Sequence, residues 1–358
     1  MEEKEQSSEP PPCVMTSLPE DVILDILARV PRCNYPTLSL VSKHFRSLVA
    51  ASEIYARRSL LGCTEHSLYV ILSNRRGCYD GQLYILSREA NGNQGLFLIP
   101  SLHSMPQFGS YVAMGSKIYV FNTVTTSPSG LIIDCISHTA QRLPVPVPMI
   151  IKVTITVADI TDGRIYVIGY YWDFIYKKVM VVFNTETQTW EPETIKMDTE
   201  VDVRACECVV MAGKIYFRDR KKNSIVYEPK GSKWETDEMV NAKEWVDACV
   251  VDNVLYYYDN VENKLRAYDS EKKCWGVVNG GVEELLAKKK VYGWWKTVSY
   301  SGKLFLFNRQ GNLVGVTYFA EISLQRNQQR EIWGKVEWCD GVEIAESVYI
   351  LKSLGVMV

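Results

Sequence analysis

The chain has 358 residues, of which 47% are hydrophobic and 23% charged, as in an ordinary soluble protein with two or more domains or one large repeat fold. A net charge of −2 argues against a dedicated nucleic-acid-binding protein, because such a protein needs a basic surface. The most apolar stretch, 145–160, is interrupted by prolines and charged residues, so no membrane-spanning segment is predicted.

The cysteines and histidines do not form a recognisable site. The ten cysteines are scattered without a C-x-x-C pair, and the four histidines lie in separate segments without zinc spacing. Residues 1–15 are acidic and carry prolines, which predicts disorder, and they lack the apolar core of a secretory signal. These features predict a reducing compartment, cytoplasmic or nuclear, and no metal or other cofactor.

Residues 16–62 have apolar side chains at spacings of three and four, which predicts three short helices. Ser17 and Glu20 have the spacing of a capping box at the start of the first helix. The second helix is predicted to begin at Pro36, and Gly62 is predicted to follow the end of the third.

Three short helices bury too little surface for a good core, so apolar residues left on their outside favour a partner. The stretch from Leu18 to Val49 resembles an F-box, because a Leu-Pro pair, two apolar stripes and a Lys-His-Phe-Arg segment follow in order. The resemblance implies binding to the Skp adaptor of cullin-RING ubiquitin ligases; the alternative is a helical cap on the next domain. We expect the adaptor contacts to include Leu18, Pro19, Ile23, Leu24, Leu40, Val41, Lys43, Phe45 and Leu48.

After residue 62 the chain changes to alternating β-branched and aromatic residues and then repeats itself. A glycine-led strand recurs at Gly115, Gly163, Gly213 and Gly302, and Asn253 takes the same place in a further copy. The copies are 40 to 50 residues apart. Glycine or asparagine is expected there because a tight hairpin requires positive φ.

A second signature is an aromatic residue followed seven positions later by tryptophan. It occurs three times, as Phe183 with Trp190, Tyr227 with Trp234, and Tyr268 with Trp275. An earlier copy at Ile133 is degenerate, with Ala140 in place of the tryptophan. A period of this length with one tryptophan per copy predicts a four-stranded propeller blade. The unit resembles the kelch repeat, although the double glycine that usually follows the strand is reduced to Gly169 or is missing.

The predicted fold class is therefore α+β multidomain, with a small three-helix F-box at 16–62 and an all-β kelch propeller at 63–358. Five copies of the repeat are clear. We expect a sixth blade to combine strands between residues 67 and 99 with C-terminal strands near 333–338 and 347–351, because such a closure hides two sheet edges. Six blades are predicted, with five and seven as alternatives.

The long loops of the propeller predict a binding face. In a four-stranded antiparallel blade the second turn and the link to the next blade lie opposite the first and third turns, which are short here. Loops on rigid strands often carry binding residues. We expect target-binding residues at Tyr171, Trp172, Phe174, Arg218 and Arg220. The alternatives are that the aromatic residues continue a strand as core and that the charged residues form a solvated turn.

The residues do not predict an enzyme, because no G-x-S-x-G, H-E-x-x-H or P-loop pattern occurs. From residue 16 onward the chain is similar to the plant family of F-box/kelch-repeat proteins. That resemblance implies a substrate receptor, in which the F-box holds the Skp adaptor and the propeller presents a target protein for ubiquitination and degradation. The alternatives are a propeller enzyme, either a metal-dependent oxidase or a specifier-like protein, and a scaffold independent of the ligase.

Overall fold

The computed structural model describes residues 18–74, 80–88, 94–100, 102, 105–106, 109–121, 130–144, 157–173, 175–197, 207–219, 224–288, 293–310, 316–329, 331–344 and 348–358. Its contacts divide the chain into a helical unit, which ends at Glu65 and takes in Val358, and a β unit, His66–Met357. The N-terminal residues 1–15, for which the sequence predicts disorder, lie outside the described residues, as does Ser17.

The helical unit has more helices than the three that the sequence predicts. They are α1 (Glu20–Arg29), a 3-10 turn (Arg32–Asn34), α2 (Tyr35–Val41), α3 (Lys43–Ala50) and α4 (Ser52–Leu60). The predicted second helix divides at Ser42, whose Oγ accepts a hydrogen bond from the Phe45 amide at 3.0 Å and caps α3. The predicted capping box is wrong, because α1 starts one residue after Pro19, which makes no side-chain cap. Gly62 follows α4 with a φ of +65°, as predicted.

The core of the helical unit combines an apolar cluster with one buried cation. The cluster consists of Ile23, Leu27, Ala28, Tyr35, Phe45, Leu48, Val49 and Ile54. Arg58 on α4 is only 1% exposed, and its Nη1 donates to the carbonyls of Ala28 and Val30, both at 2.8 Å. Its Nη2 forms an ion pair with Glu65 Oε1 at 2.5 Å. Arg58 thus satisfies carbonyl groups that the end of α1 leaves without helical partners.

The β unit contains six antiparallel blades, which we number along the chain. Blade 1 consists, from the inside outwards, of Val348–Met357, His66–Asn74, Asp80–Arg88 and Gln94–Leu98, with Met105–Pro106 beside its third strand. Blade 2 consists of Ser110–Met114, Lys117–Phe121, Gly130–Asp134 and Thr139–Arg142. Blade 3 consists of Val157–Thr161, Arg164–Asp173, Ile175–Asn184 and Thr189–Trp190, with Ile195–Lys196 beside its third strand.

The remaining blades follow the same order. Blade 4 consists of Glu207–Met211, Lys214–Arg218, Ser224–Glu228 and Lys233–Glu235. Blade 5 consists of Cys249–Val251, Val254–Asp259, Lys264–Asp269 and Cys274–Val277. Blade 6 consists of Gly293–Tyr300, Lys303–Gln310, Val316–Arg326 and Ile332–Glu343, with Asn279–Gly280 parallel to its outer strand. The innermost strands contact one another in a closed ring, which confirms the six-bladed propeller.

Closure of the ring differs from the prediction in one strand. Val348–Met357 pairs with His66–Asn74 along its whole length and so completes blade 1, as predicted for 347–351. Residues 333–338 instead lie in the outer strand of blade 6. That part of the prediction is wrong because blade 6 uses its own four strands in sequence and leaves a single terminal strand for the closure.

The short hairpins explain the glycine or asparagine that leads the repeated strand. Both central residues have positive φ in the turns Asp162-Gly163, Ala212-Gly213, Asp252-Asn253 and Ser301-Gly302. Two consecutive residues of this kind form a type I′ turn, which matches the twist of the flanking strands. Two short helices, Glu238–Asn241 and Gly281–Lys288, lie in connections, and the second contributes Val282, Leu285 and Leu286 to the apolar cluster between blades 5 and 6.

Candidate functional site

The end of α2 presents two adjacent exposed apolar side chains. Leu40 is 77% exposed and Val41 is 64% exposed, and both belong to the predicted adaptor set. Lys43, at the start of α3, and Pro19, before α1, are also exposed. Because these apolar side chains contact water rather than the core of the helical unit, they are available to a partner surface.

The other predicted adaptor residues lie inside the helical unit or at its edge. Ile23, Phe45 and Leu48 are buried in its core. Leu18 and Leu24 are half-buried and pack against the same core. These five side chains hold together the helices that present Leu40 and Val41, and their direct contact with an adaptor stays a prediction.

Contacts between turns assign the two faces of the propeller. The Gly163 carbonyl accepts hydrogen bonds from the Thr185 amide at 3.0 Å and from Thr185 Oγ1 at 2.7 Å, so the first and third turns of blade 3 adjoin. Lys243 Nζ donates to Glu262 Oε1 at 2.9 Å, which joins the link before blade 5 to the second turn of that blade. The second turns and the links therefore share the opposite face, as predicted.

The predicted aromatic loop is a long β-hairpin. Strands Arg164–Asp173 and Ile175–Asn184 remain paired to their ends, with Tyr171 opposite Lys177 and Trp172 opposite Tyr176. The interpretation that this run continues a strand is correct for the backbone. Phe174, at the turn of the hairpin, lies outside the described residues.

Arg218 does not have the exposed position that the sequence predicts. Its side chain is 3% exposed; Nη1 donates to the Lys243 carbonyl at 2.5 Å, and the guanidinium carbon lies 5.8 Å from the centroid of the Trp245 ring. Burial lowers the pKa of this guanidinium, although Glu244 acts in the opposite direction. Arg218 ends a strand and fastens the link before blade 5, so it is not a surface anchor. Arg220 lies outside the described residues.

Sequence reasoning missed an exposed apolar residue on the same face. Val261, in the second turn of blade 5, is 91% exposed. Asp259 Oδ1 accepts hydrogen bonds from the amides of Val261 and Glu262 at 3.0 and 3.1 Å, which fixes the turn that presents it. Val246, in the link before blade 5, is 45% exposed. The only sequence signal is a lone valine in a polar turn.

The aromatic-to-tryptophan signature corresponds to a ring pair across the two outer strands of a blade. The ring centroids are 5.1 Å apart for Phe183 and Trp190, 4.7 Å for Tyr227 and Trp234, and 5.1 Å for Tyr268 and Trp275. In blade 5 the intervening turn is closed by Asp269 Oδ1, which accepts hydrogen bonds from the amides of Glu271 and Lys272. Such a turn places the two rings opposite each other after seven residues.

Both the helical unit and the β unit match families of known proteins. The family model described as FKB95, Kelch-repeats domain, matches residues 83–343, and the F-box domain model matches residues 15–57. The F-box/kelch-repeat protein At4g38940 of Arabidopsis thaliana is 42% identical, across 99% of this chain and 97% of that protein. This chain belongs to the F-box/kelch-repeat family. The predicted relationship is therefore confirmed.

Other F-box/kelch-repeat proteins of Arabidopsis thaliana are similar over nearly the same length. The putative F-box/kelch-repeat protein At1g60570 is 36% identical, across 91% of this chain and 89% of that protein. The F-box/kelch-repeat protein At4g39240 is 34% identical, across 95% of this chain and 90% of that protein. The similarity thus extends through the F-box and the kelch propeller together.

The innermost strands of the kelch propeller line a charged central cavity of about 480 Å³. Its charged lining residues come from the innermost strands or the links before them: Asp159, Glu207, Asp247, Lys296 and Lys352. Asp247 and Lys296 form an ion pair. Burial raises the pKa of Asp159 to about 6, although its Oδ1 accepts a hydrogen bond from the Ile160 amide at 2.8 Å. Burial, together with the charge of Asp247, also raises the pKa of Glu207.

Neither a metal-binding cluster nor a membrane-spanning helix is present in the described residues. No group of three or more His, Cys, Asp or Glu side chains in the described part of the chain is arranged to hold a metal ion. Among the helices of the described ranges, none combines the length and the apolar composition needed to cross a membrane.

Proposed function

We propose that this F-box/kelch-repeat protein is a substrate receptor of a Skp–cullin–F-box ubiquitin ligase in the cytoplasm or the nucleus. The F-box binds the Skp adaptor, and the propeller binds a target protein for ubiquitination and degradation. The receptor carries out no bond chemistry itself; it raises the local concentration of the target and orients one of its lysines.

The exposed pair Leu40 and Val41 carries the proposal for the adaptor. The apolar core of the F-box does not include these two side chains, so they are not needed to complete it. Complete burial of an aliphatic side chain of this size contributes roughly 1.5–3 kcal/mol. Two adjacent residues therefore supply a substantial part of the free energy of binding to an apolar partner surface.

The adaptor assignment can be tested with charged substitutions at matched positions. We expect Leu40→Glu with Val41→Glu to weaken binding of the Skp adaptor more than about tenfold, measured by titration calorimetry on the full chain. Leu60→Glu is the control, because Leu60 is 80% exposed on α4 and lies outside the F-box match. Unchanged affinity in the double variant, or an equal loss in the control, would refute the assignment.

The Leu-Pro pair before α1 gives a second test of the adaptor assignment. We expect Leu18→Ala with Pro19→Ala to abolish co-purification with the Skp adaptor. The propeller should remain folded in this variant, which its near-ultraviolet circular dichroism would show. Full co-purification would exclude these two residues from the contact.

The proposed target site lies on the face of the second turns, at the blade 3 hairpin. We expect Tyr171→Ala with Trp172→Ala to block capture of a target protein from plant extract while binding of the Skp adaptor stays unchanged. Large aromatic residues supply much of the binding energy at protein interfaces. Glu186→Ala, in an exposed turn on the opposite face, is the control. If the Glu186 variant blocks capture and the hairpin variant does not, the target binds the other face.

A further inference from the structure

One residue of the helical unit follows the strand that completes the propeller ring. This closing strand, Val348–Met357 of blade 1, is followed directly by Val358, which belongs to the helical unit together with Glu65. The Glu65 amide donates to the Val358 carbonyl at 2.7 Å, and the Val358 amide donates to the Glu65 carbonyl at 2.8 Å. The side chain of Val358 is 4% exposed. Two backbone hydrogen bonds and a buried side chain therefore hold Val358 in the helical unit.

The side chain of Glu65 connects this attachment to the core of the helices. Its Oε1 accepts a hydrogen bond from the Arg32 amide at 3.1 Å and forms the ion pair with Arg58 at 2.5 Å. Arg58 Nη1 donates to Tyr35 Oη at 3.2 Å as well as to the two carbonyls at the end of α1. Tyr35 begins α2, the helix whose end presents the apolar pair proposed for the adaptor. A continuous set of contacts thus leads from Val358 to that helix.

We propose that closure of the propeller ring stabilises the helical unit and thereby supports its binding of the Skp adaptor. The pairing of Val358 with Glu65 continues the ladder between the closing strand and the second strand of blade 1, so an open ring separates these two residues. A unit of this size has little stability to lose, which makes it sensitive to the loss of a few contacts. The part of the proposal that concerns the adaptor rests on the proposed function; the part that concerns stability does not.

Two neighbouring alanine substitutions in the full chain test the attachment. Val358→Ala removes the equivalent of two buried methylene groups from the helical unit, so we expect amide hydrogen exchange in α1 and α4 to be about tenfold faster. Met357→Ala, one residue earlier, removes a side chain that is 44% exposed and should leave these rates within about twofold of wild type. Exchange followed by mass spectrometry measures both. Equal rates in wild type and Val358→Ala would overturn the proposal.

A second pair of substitutions tests the contribution of ring closure. A Cβ at Gly355, in the closing strand, would lie 2.6 Å from the Ser299 carbonyl oxygen of blade 6, so Gly355→Ala displaces this strand. A Cβ at Gly276, in the outer strand of blade 5, would have no atom within 4 Å, so Gly276→Ala is the control. We expect faster exchange in the helices for Gly355→Ala alone. Faster exchange in the closing strand without any change in the helices would refute the coupling. If near-ultraviolet circular dichroism shows that Gly355→Ala unfolds the propeller, the comparison of Val358→Ala with Met357→Ala decides.

The purified Skp adaptor gives the functional readout, because coupling between two parts of a protein is reciprocal. Saturating adaptor should slow exchange at the end of the closing strand in wild type and in Met357→Ala, and Val358→Ala should lose this slowing. Equal slowing in all three proteins would overturn the link to the adaptor. If the adaptor does not bind wild type at all, the proposed function fails, while the exchange rates measured without adaptor still decide whether ring closure stabilises the helical unit.

Discussion

The F-box and the kelch propeller are stabilised in different ways. The F-box depends on a small apolar core and on one buried cation, Arg58, which joins the end of α1 to α4 and to Glu65. The propeller repeats the same contacts from blade to blade. An apolar cluster lies at successive blade interfaces, and a pair of aromatic side chains packs across the two outer strands of a blade.

The difference shows how size determines the means of stabilisation. A unit of about 45 residues buries a small share of its surface and is marginally stable, so loss of a single buried hydrogen-bonding group has a large effect on it. A propeller of six blades distributes the same task over many equivalent contacts. One substitution in the F-box should therefore have a larger effect than one substitution in a blade.

The largest expected effect is at Arg58. Arg58→Met leaves two carbonyls without their side-chain donor and removes the ion pair of the Glu65 carboxylate, which within the described ranges keeps only the hydrogen bond from the Arg32 amide; this should destabilise the F-box by about 3–5 kcal/mol and abolish binding of the Skp adaptor. Arg57→Met is the control, because Arg57 is partly exposed and its ion-pair partners among the described residues are Asp21 and Asp25, so its loss should cost about 0–1 kcal/mol. Hydrogen exchange in the helices measures both. Costs within about 1 kcal/mol of each other would contradict the comparison.

Smaller effects are expected at the blade tryptophans, which are half-buried rather than fully buried. We expect Trp190, Trp234 or Trp275 changed to alanine to cost about 2–3 kcal/mol each, below the value for a fully buried ring. Unfolding in urea, followed by tryptophan fluorescence, measures this cost. Unchanged midpoints in all three variants would show that these ring pairs do not stabilise the blades.

Substitution by phenylalanine sharpens this prediction. The indole Nε1 of Trp190 donates to the Pro144 carbonyl at 2.7 Å, and that of Trp275 donates to the Met239 carbonyl at 2.6 Å. The indole of Trp234 makes no hydrogen bond within the described residues. The phenylalanine variants at 190 and 275 should therefore lose about 1 kcal/mol more than the variant at 234.

The smallest expected change in stability is a gain, from Asp159→Asn. Its folded-state pKa of about 6 lies above the ordinary value for aspartate, so the ionised carboxylate opposes folding once both states are ionised. The variant should equal wild type below about pH 4, gain stability between about pH 4 and 6, and be more stable by about 1–3 kcal/mol above that range. Urea unfolding across this pH range measures the gain. A constant difference at every pH would exclude this titration as the cause.

The sequence was sufficient for the propeller and its hairpins, left five, six or seven blades open, and was less informative about individual side chains. Positive φ at Gly163 and Asn253 is a local requirement, so glycine and asparagine at regular spacing locate the turns. The sequence does not indicate that Arg218 is buried, because its burial depends on contact with the ring of Trp245, which lies in a later link of the chain. The break at Ser42 was missed because the apolar spacing continues through it.

The sequence by itself determined the family, the order of the two units and the repeat, because these depend on local backbone conformation and on spacing along the chain. Only the tertiary structure decided which charged side chains lie around the same cavity. Asp159, Glu207 and Lys352 lie far apart in the chain, and closure of the ring brings their strands around one cavity. The alternation of residues along a strand is the same whether the inward-facing residue is charged or neutral. The electrostatic coupling of these three residues therefore follows from the fold and cannot be read from the strand pattern.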